Sequence, residues 1–362
     1  MNRTVLVTGV SRAPGTELAR RLRAAPGIDR VIGVDLTSPS DDLGDVEFVR
    51  ADIRSPVIAK VVEATEIETV VHLGTLQPSS GPGRGASGRE IALIGTMQLL
   101  AACQRAASVR RFVLQSSTAV YGSTAHDPAL FTEDMTPASP PAGGRSRDIF
   151  EMESYVRGFT RRRPDVSTTI LRLAHLAGPT ADTALTRHLK LLVVPTVFGF
   201  DPRLQFLHVD DAVDVLAMAT VAPRSAARIP SSRAAGLDEI GGAAEPPPGG
   251  VAAATVSAPL PAGTVRAGRA QPGRPTVYNI AGDGAVFLSQ AIRRLGRTAL
   301  PVPAPLLPYV RAVVGKGGEM PPISELTYGR VTDTSRMRTE LGFQPRYSTA
   351  AALATIGGDR DG

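Results

Sequence analysis

Thr4-Val5-Leu6-Val7-Thr8-Gly9-Val10-Ser11-Arg12-Ala13-Pro14-Gly15 is the stretch that decides the fold. The β-branched run from Thr4 to Val7 predicts a strand, and a glycine ends it. Gly9 can take the positive φ that a strand-to-helix turn needs. Gly15 lets the following helix pack closely on the sheet. Pro14 suits a first helical turn, where its missing N–H costs nothing. Such a strand, tight turn and helix start lay backbone N–H groups against the pyrophosphate of a dinucleotide. Two glycines at this spacing recur by chance, so the reading needs support from the rest of the chain.

The support is a rhythm. Apolar strands are expected at Arg30 to Val34, Val46 to Val49, Thr69 to Leu73, Arg111 to Gln115 and Ser167 to Leu173. Helical periodicity falls between them, at Glu17 to Ala24, Ile58 to Thr65, Glu90 to Ala106 and Asp148 to Arg162. Apolar strands alternating with amphipathic helices predict an α/β fold, a Rossmann-type parallel sheet with helices on both faces. Pattern resumes at Val277 to Ile280 as a strand, then at Phe287 to Leu295 and Ser335 to Leu341 as helices. The division expected is a dinucleotide-binding domain over 1–175, to which 205–221 returns, and a smaller C-terminal substrate lobe from 176–204 and 276–350. Residues 77–89 and 222–275 are rich in glycine, proline and small residues and lack a period, predicting a mobile loop and a flexible low-complexity insertion. Residues 351–362 read as a frayed tail.

Two carboxylates strengthen the nucleotide reading. Asp35 closes the second strand, where it can accept bonds from both adenosine ribose hydroxyls and repel a 2′-phosphate. NAD is therefore favoured over NADP. Asp52 follows the third strand and can take the adenine amino group, with Ile53 packing on the ring. Gly74, after the fourth strand, lets backbone approach the cofactor. The bland alternative makes both aspartates ordinary loop carboxylates.

Composition excludes several other classes. The formal net charge is +6, but the densest basic run is Arg161-Arg162-Arg163. Nucleic-acid binding needs a clustered stripe, so no such partner is expected. A single cysteine, Cys103, leaves no internal disulfide framework and reads as a buried small hydrophobe. The five histidines show no metal-ligand spacing, so no metal is expected. No apolar run reaches membrane-spanning length and no secretory pattern opens the chain, so a cytoplasmic protein without membrane contact is expected. His208, before Asp210 and Asp211, reads as a structural residue at the start of a helix.

On these residues the chain resembles an extended short-chain dehydrogenase/reductase of the NAD-dependent epimerase/dehydratase family, related to UDP-sugar 4-epimerases. The matching segments are Thr8-Gly9 with Gly15, Asp35, Asp52-Ile53-Arg54, His72-Leu73-Gly74 and Ser116-Ser117-Thr118-Ala119-Val120-Tyr121-Gly122. Leu171-Arg172-Leu173 with Gly178-Pro179, Phe206 to Asp211, and Leu341-Gly342-Phe343 with Pro345 continue the series. The resemblance implies NAD as cofactor, a nucleotide sugar or related hydroxy compound as substrate, and a homodimer paired through the helices at 90–106 and 148–162. It places Gly9, Arg12, Gly15, Asp35, Asp52, Ile53, Leu73, Gly74 and His175 around the cofactor, His175 lining the nicotinamide pocket. It gives Ser117 the role of orienting a substrate hydroxyl and puts Tyr121 in the wall of the substrate cleft.

Two departures bear on function. Arg12 stands where the family usually has the middle glycine of the turn; it can add a charge-assisted bond to the phosphates or crowd them. The usual Tyr-x-x-x-Lys pair is missing from the helix after the fifth strand. Counting back from Leu171-Arg172-Leu173 puts the expected pair near Asp148 and Met152. Tyr155 is too far along and Phe159, not lysine, follows it. Asp148 is the substitute base the segment offers, although an ordinary aspartate is a weak match for an alcohol proton. The alternative is a catalytically degenerate NAD-binding sensor or scaffold. Arg187, Arg203 and Arg330 are candidate anion contacts.

Overall fold

The computed structural model describes residues 3–12, 14–74, 85–135, 144–222, 272–314 and 320–357. The expected insertion lies almost wholly outside the described residues, as do 75–84 of the expected mobile loop. The first half runs β1 (Thr4–Thr8), α1 (Gly15–Ala24), β2 (Arg30–Asp35), β3 (Glu47–Arg50), α2 (Val57–Ala64), β4 (Thr69–His72), α3 (Gly85–Arg105), β5 (Arg111–Ser117), α4 (Gly144–Arg162) and β6 (Ser167–Leu173). After it come β7 (His175–Ala177), α5 (Ala184–Leu189), β8 (Val193–Val197), β9 (Arg203–Leu204), β10 (Phe206–His208) and α6 (Val209–Val221). The chain closes with β11 (Thr276–Ile280), β12 (Val286–Phe287), α7 (Leu288–Arg294), β13 (Thr298–Val302), α8 (Leu307–Val314), α9 (Ile323–Tyr328), α10 (Ser335–Thr339) and α11 (Thr349–Ala354).

Seven parallel strands form the main sheet in the order β11-β6-β5-β4-β1-β2-β3. The chain builds outward from β1 through β2 to β3, then reverses through β4, β5 and β6. That reversal opens a crevice past the ends of β1 and β4, the switch point where open α/β sheets bind ligands. Side chains alternate across the sheet. Val5 and Val7 pack in one cluster with Leu18 and Leu22 of α1 and Ala212 and Leu216 of α6. Leu6 faces the other way, into a cluster with Val62 of α2, Leu99 of α3 and Val156 of α4. A third cluster, including Leu185, Val194, Ile292, Val302, Leu326 and Leu353, is the core of the smaller lobe.

A buried polar chain fixes α4 against the sheet. Arg172 of β6 donates to both oxygens of Glu153 on α4, at 2.9 and 2.7 Å. Ser116 Oγ donates to Glu153 at 2.7 Å. Arg172 also donates to the Tyr121 hydroxyl at 2.8 Å, which donates to Asn279 Oδ1 of β11 at 2.7 Å. Both charges are almost completely enclosed, so this pairing is what makes their burial tolerable.

Several boundaries differ from the sequence reading. α4 begins at Gly144, ahead of the expected Asp148, because its first turn is polar and exposed and shows no apolar period. α3 begins at Gly85, inside the stretch read as a loop. Of the expected fray over 351–362, the described part is ordered helix and turn to residue 357, and 358–362 lie outside the described residues: Ser348 caps α11 by accepting from Ala351 N at 3.2 Å, and Ala352, Leu353 and Ile356 are buried in the lobe core. Alanine's helix propensity outweighs the segment's small size once one face is covered. Thr276–Ile280, read as part of the lobe, pairs in register with β6 and completes the main sheet.

Candidate functional site

Gly9 ends β1 with φ 85°, and its N–H donates to Val34 O of β2 at 3.0 Å. α1 then starts so close that a Cβ on Gly15 would lie 2.1 Å from Gly9 O. No other residue fits there. Pro14 is the N-cap of α1, directly before the helix, and donates nothing. The turn is closed by Thr16, whose hydroxyl donates to Val10 O at 2.8 Å and whose N–H donates to Arg12 O at 3.1 Å. Arg12 is exposed at the tip.

The Asp35 carboxylate is buried at the end of β2, beside this turn. Its Oδ2 accepts from Ser11 N at 3.0 Å and Ser11 Oγ at 2.6 Å, and its Oδ1 accepts from Leu36 N at 2.7 Å. A carboxylate has about four acceptor positions, so one remains open on Oδ1. One ribose hydroxyl can bind as the structure stands; a second needs the Ser11 hydroxyl to turn away. Asp35, Gly9, Ile53, Leu73 and Gly74 share one small recess at the switch point, with Thr8, His72 and Ala92. A Cβ on Gly95 of α3 would meet Ile53 Cδ1 at 2.5 Å, so that glycine lets Ile53 lie flat under the helix. Asp52 is held beside the recess by Arg54, which donates from its backbone at 2.9 Å and from Nη2 at 2.7 Å. The Arg54 guanidinium holds the Asp52 carboxyl below its usual range.

His72 forms the floor between β4 and α3. Thr96 donates its one hydroxyl proton to Ala92 O, so it accepts from His72 Nε2 at 2.8 Å, and Thr8 Oγ1 donates to Nδ1 at 2.7 Å. Burial drives the imidazole pKa down to about 4, and the ring is neutral. Gly74 is fixed by the same ring: a Cβ there would stand 2.6 Å from His72 Nε2.

A larger cleft of about 480 Å³ opens beyond the turn. It is lined by Ser11, Arg12 and Pro14 of the turn, Ser116 and Ser117 of β5, His175 of β7, and Arg187 and Arg330. From α4 it receives Gly144, Arg145 and Ser146. Asp148, the substitute base expected from sequence, lies further along α4 and is half-buried outside this lining. The Glu153–Arg172 pair sets that rotation. Ser117 caps the following 3₁₀ turn by accepting from Ala119 N at 3.2 Å and stays half-open to the cleft. Tyr121, expected in the cleft wall, is buried behind it, stacked on Phe131 with ring centroids 4.7 Å apart. Of the three arginines offered as anion contacts, Arg187 and Arg330 reach the cleft, and Arg203 instead donates to Ala129 O at 2.9 Å. His208 caps α6 as expected, accepting from Asp210 N at 3.2 Å.

Sequence reasoning missed Glu325 and the company it keeps. Its Oε2 accepts from Arg330 Nη2 at 3.0 Å, and its Oε1 stands 3.3 Å from His175 Nε2. Nothing in the spacing of these residues joins positions so far apart in the chain. Cys103, by contrast, is the inert hydrophobe expected, with burial pushing its thiol up to about 12. Among the described residues no group of His, Cys, Asp and Glu could hold a metal ion, and no helix is long and apolar enough to cross a membrane.

The sequence profile of the NAD dependent epimerase/dehydratase family matches residues 5–229, more than half of the chain. The chain belongs to that family. It is 41% identical over 359 residues to uncharacterized proteins of Mycobacterium tuberculosis and Mycobacterium bovis, covering 97% of this chain and 82% of theirs. Among solved structures it resembles the UDP-glucose 4-epimerase of Thermotoga maritima, with a TM-score of 0.63, 16% identity, and 98% and 97% of the two chains covered. It resembles the UDP-glucuronic acid 4-epimerase of Bacillus cereus with a TM-score of 0.63, 17% identity, and 98% and 99% covered. The fold is therefore the one these epimerases use. The residues present also fit the family's cofactor, NAD: Gly9 and Gly15 keep side chains out of the turn before α1, and Asp35 offers a carboxylate that would repel a 2′-phosphate.

Proposed function

We propose that this family member binds NAD across the β1–β4 switch point and transiently oxidises a hydroxyl of a nucleotide sugar or related compound, as an epimerase or dehydratase does. One observation carries the reading: a single cleft is lined by residues of the cofactor turn, by Ser117 and His175, and by Arg187 and Arg330. A ligand with an anionic linker can thus reach cations while its sugar stands beside the cofactor. The solved relatives include complexes with UDP-glucose or UDP-glucuronic acid, several together with NAD.

In this reading Gly9 and Gly15 leave room for the pyrophosphate, and Arg12 adds a charge-assisted bond to it. Asp35 takes the ribose, Ile53 lies under the adenine, and Asp52 takes the adenine amino group once the Arg54 side chain, which now bonds both its oxygens, gives way. Leu73 and Gly74 bring backbone to the cofactor, and His175 stands at the nicotinamide end. Ser117 orients the substrate hydroxyl. The bound cofactor would supply the hydride acceptor. The second reading, a binding protein without turnover, rests on the missing tyrosine–lysine pair and on Arg145 facing the cleft from α4.

Calorimetry with NAD and NADP, followed by absorbance at the reduced-nicotinamide band with UDP-glucose, UDP-galactose and UDP-glucuronic acid, separates the two. NAD should bind at least about tenfold tighter than NADP, equivalent to roughly 1.4 kcal/mol, and Asp35→Asn should narrow that preference. Binding without turnover across the sugars favours the binding protein. No heat from either cofactor sinks both readings.

A further inference from the structure

His175 follows directly from the strand that carries the sheet to its carboxyl edge. Ser117 of β5 pairs in register with Leu173 of β6, and His175 is two residues further in the same direction. Both side chains line the same cleft. The His175 ring packs against Phe206, with centroids 6.0 Å apart. Its Nε2 is enclosed and makes no hydrogen bond, yet Glu325 Oε1 stands only 3.3 Å away. The ring keeps 15% of its surface exposed, and that exposure lies away from Nε2.

Glu325 is itself fixed. Arg330 grips its other oxygen, and Arg330 Nη1 is anchored by Gly122 O at 3.0 Å and Ser123 Oγ at 2.7 Å. A carboxylate so held favours the imidazole tautomer with its proton on Nε2 and its lone pair on Nδ1. A carboxylate that orients a histidine whose other nitrogen is bare is the arrangement of a general base. Contacts of this kind are commonly long before substrate arrives and tighten in the complex.

We propose that His175, oriented through Nε2 by Glu325, accepts the proton of a substrate hydroxyl at Nδ1 and so fills the role left open by the absent tyrosine–lysine pair. The proposal rests on the oxidative reading above. The substrate's O–H proton passes to Nδ1 while its C–H bond breaks, the electron pair leaving as hydride to the oxidised nicotinamide and the carbon becoming a carbonyl. Reversal returns both. Glu325 is a positioning residue; Ser117 holds the hydroxyl.

The electrostatics agree. Burial lowers the His175 pKa, Arg330 and Arg145 of α4 lower it further, and Glu325 opposes them. The ring is therefore neutral at pH 7 and able to take a proton. Burial pushes the Glu325 carboxyl up, but His175, then Arg330 and Arg145, bring it below its usual range and leave it ionised.

The test has a readout that needs no turnover. Nitrogen-15 spectra of histidine-labelled protein should show His175 as the Nε2–H tautomer, and Glu325→Gln should shift the population toward a mixture. Rates of nicotinamide reduction with NAD and UDP-glucose, followed against pH, supply the second readout. His175→Asn should lower the rate at saturating NAD by about 100-fold or more. It should also remove the acid limb of the profile. Glu325→Gln should slow the rate and move that limb to lower pH, since it removes the neighbouring negative charge. If His175→Asn fails to fold, the wild-type tautomer and the Glu325→Gln profile carry the test. An Nδ1–H tautomer, or turnover kept by His175→Asn, overturns the proposal alone. Wild-type protein that binds NAD but reduces none with any nucleotide sugar overturns the oxidative reading and the proposal with it.

Discussion

Glu153 and Arg172 show how one residue pair governs the site without entering it. Arg172 has three kinds of acceptor around it, in Glu153, Tyr121 and Glu133 O, and almost no contact with water. Burial alone would push the Glu153 carboxyl up; the attraction of Arg172 and the bond from Ser116 bring it below its usual range. Glu153→Gln would leave a buried guanidinium without its counter-charge. We expect a loss of about 3–5 kcal/mol in urea unfolding, whereas Arg157→Gln, which removes a half-exposed cation from the same carboxylate, should change stability by less than about 1 kcal/mol. Equal effects would show that the pair does not hold α4 in place. At the residue scale, then, the rotation of α4 that sets its contribution to the cleft is held by a buried salt bridge to β6.

Between elements, the closest approaches are made by glycines. α1 meets the β1 turn at Gly15, and α3 meets the segment after β3 at Gly95. The two differ in what a side chain would strike. At Gly15 the obstacle is the backbone of Gly9, which cannot move without opening the turn. At Gly95 it is the end of the Ile53 side chain, which can rotate. Gly95→Ala should therefore cost little stability, under about 1 kcal/mol, while tipping Ile53 into the recess. The expected result is several-fold weaker NAD binding by calorimetry with a nearly unchanged urea midpoint. Unchanged NAD affinity would remove Ile53 from the cofactor surface.

The whole molecule should lose stability in acid, and His72 contributes to that loss. Its pKa is about 4 in the fold against 6.5 in a free chain. Between these values the unfolded chain binds the extra proton, so the stability contributed is complete above pH 6.5 and lost as pH falls to about 4. The difference amounts to about 3 kcal/mol. Asp52, Glu153 and Glu325, all with lowered pKa values, act in the same direction, while the raised carboxyls of Glu133 and Asp214 act against it. The urea midpoint should fall between pH 7 and pH 4.5. His72→Gln should be less stable at pH 7 and show a shallower fall. Equal slopes in the two proteins would mean that His72 is not held neutral.

The sequence by itself determined the parallel sheet, the glycine turn, Asp35 at the end of the second strand and the family resemblance. Each is local: a strand ended by glycine, an apolar period, an acid at a strand end. It also located the gap, since an absent tyrosine and lysine are visible in the letters alone. Where the helix facing the cleft begins was not legible, because its first turn is polar and lacks a period. Nor was the place of Thr276–Ile280, because pairing with β6 is decided by the sheet edge left open and not by the strand's own residues. Tertiary structure alone decided which side of α4 faces the cleft, through a buried ion pair. It alone brought Glu325 to His175, because a contact between residues so distant in the chain exists only once the lobe has closed over the sheet.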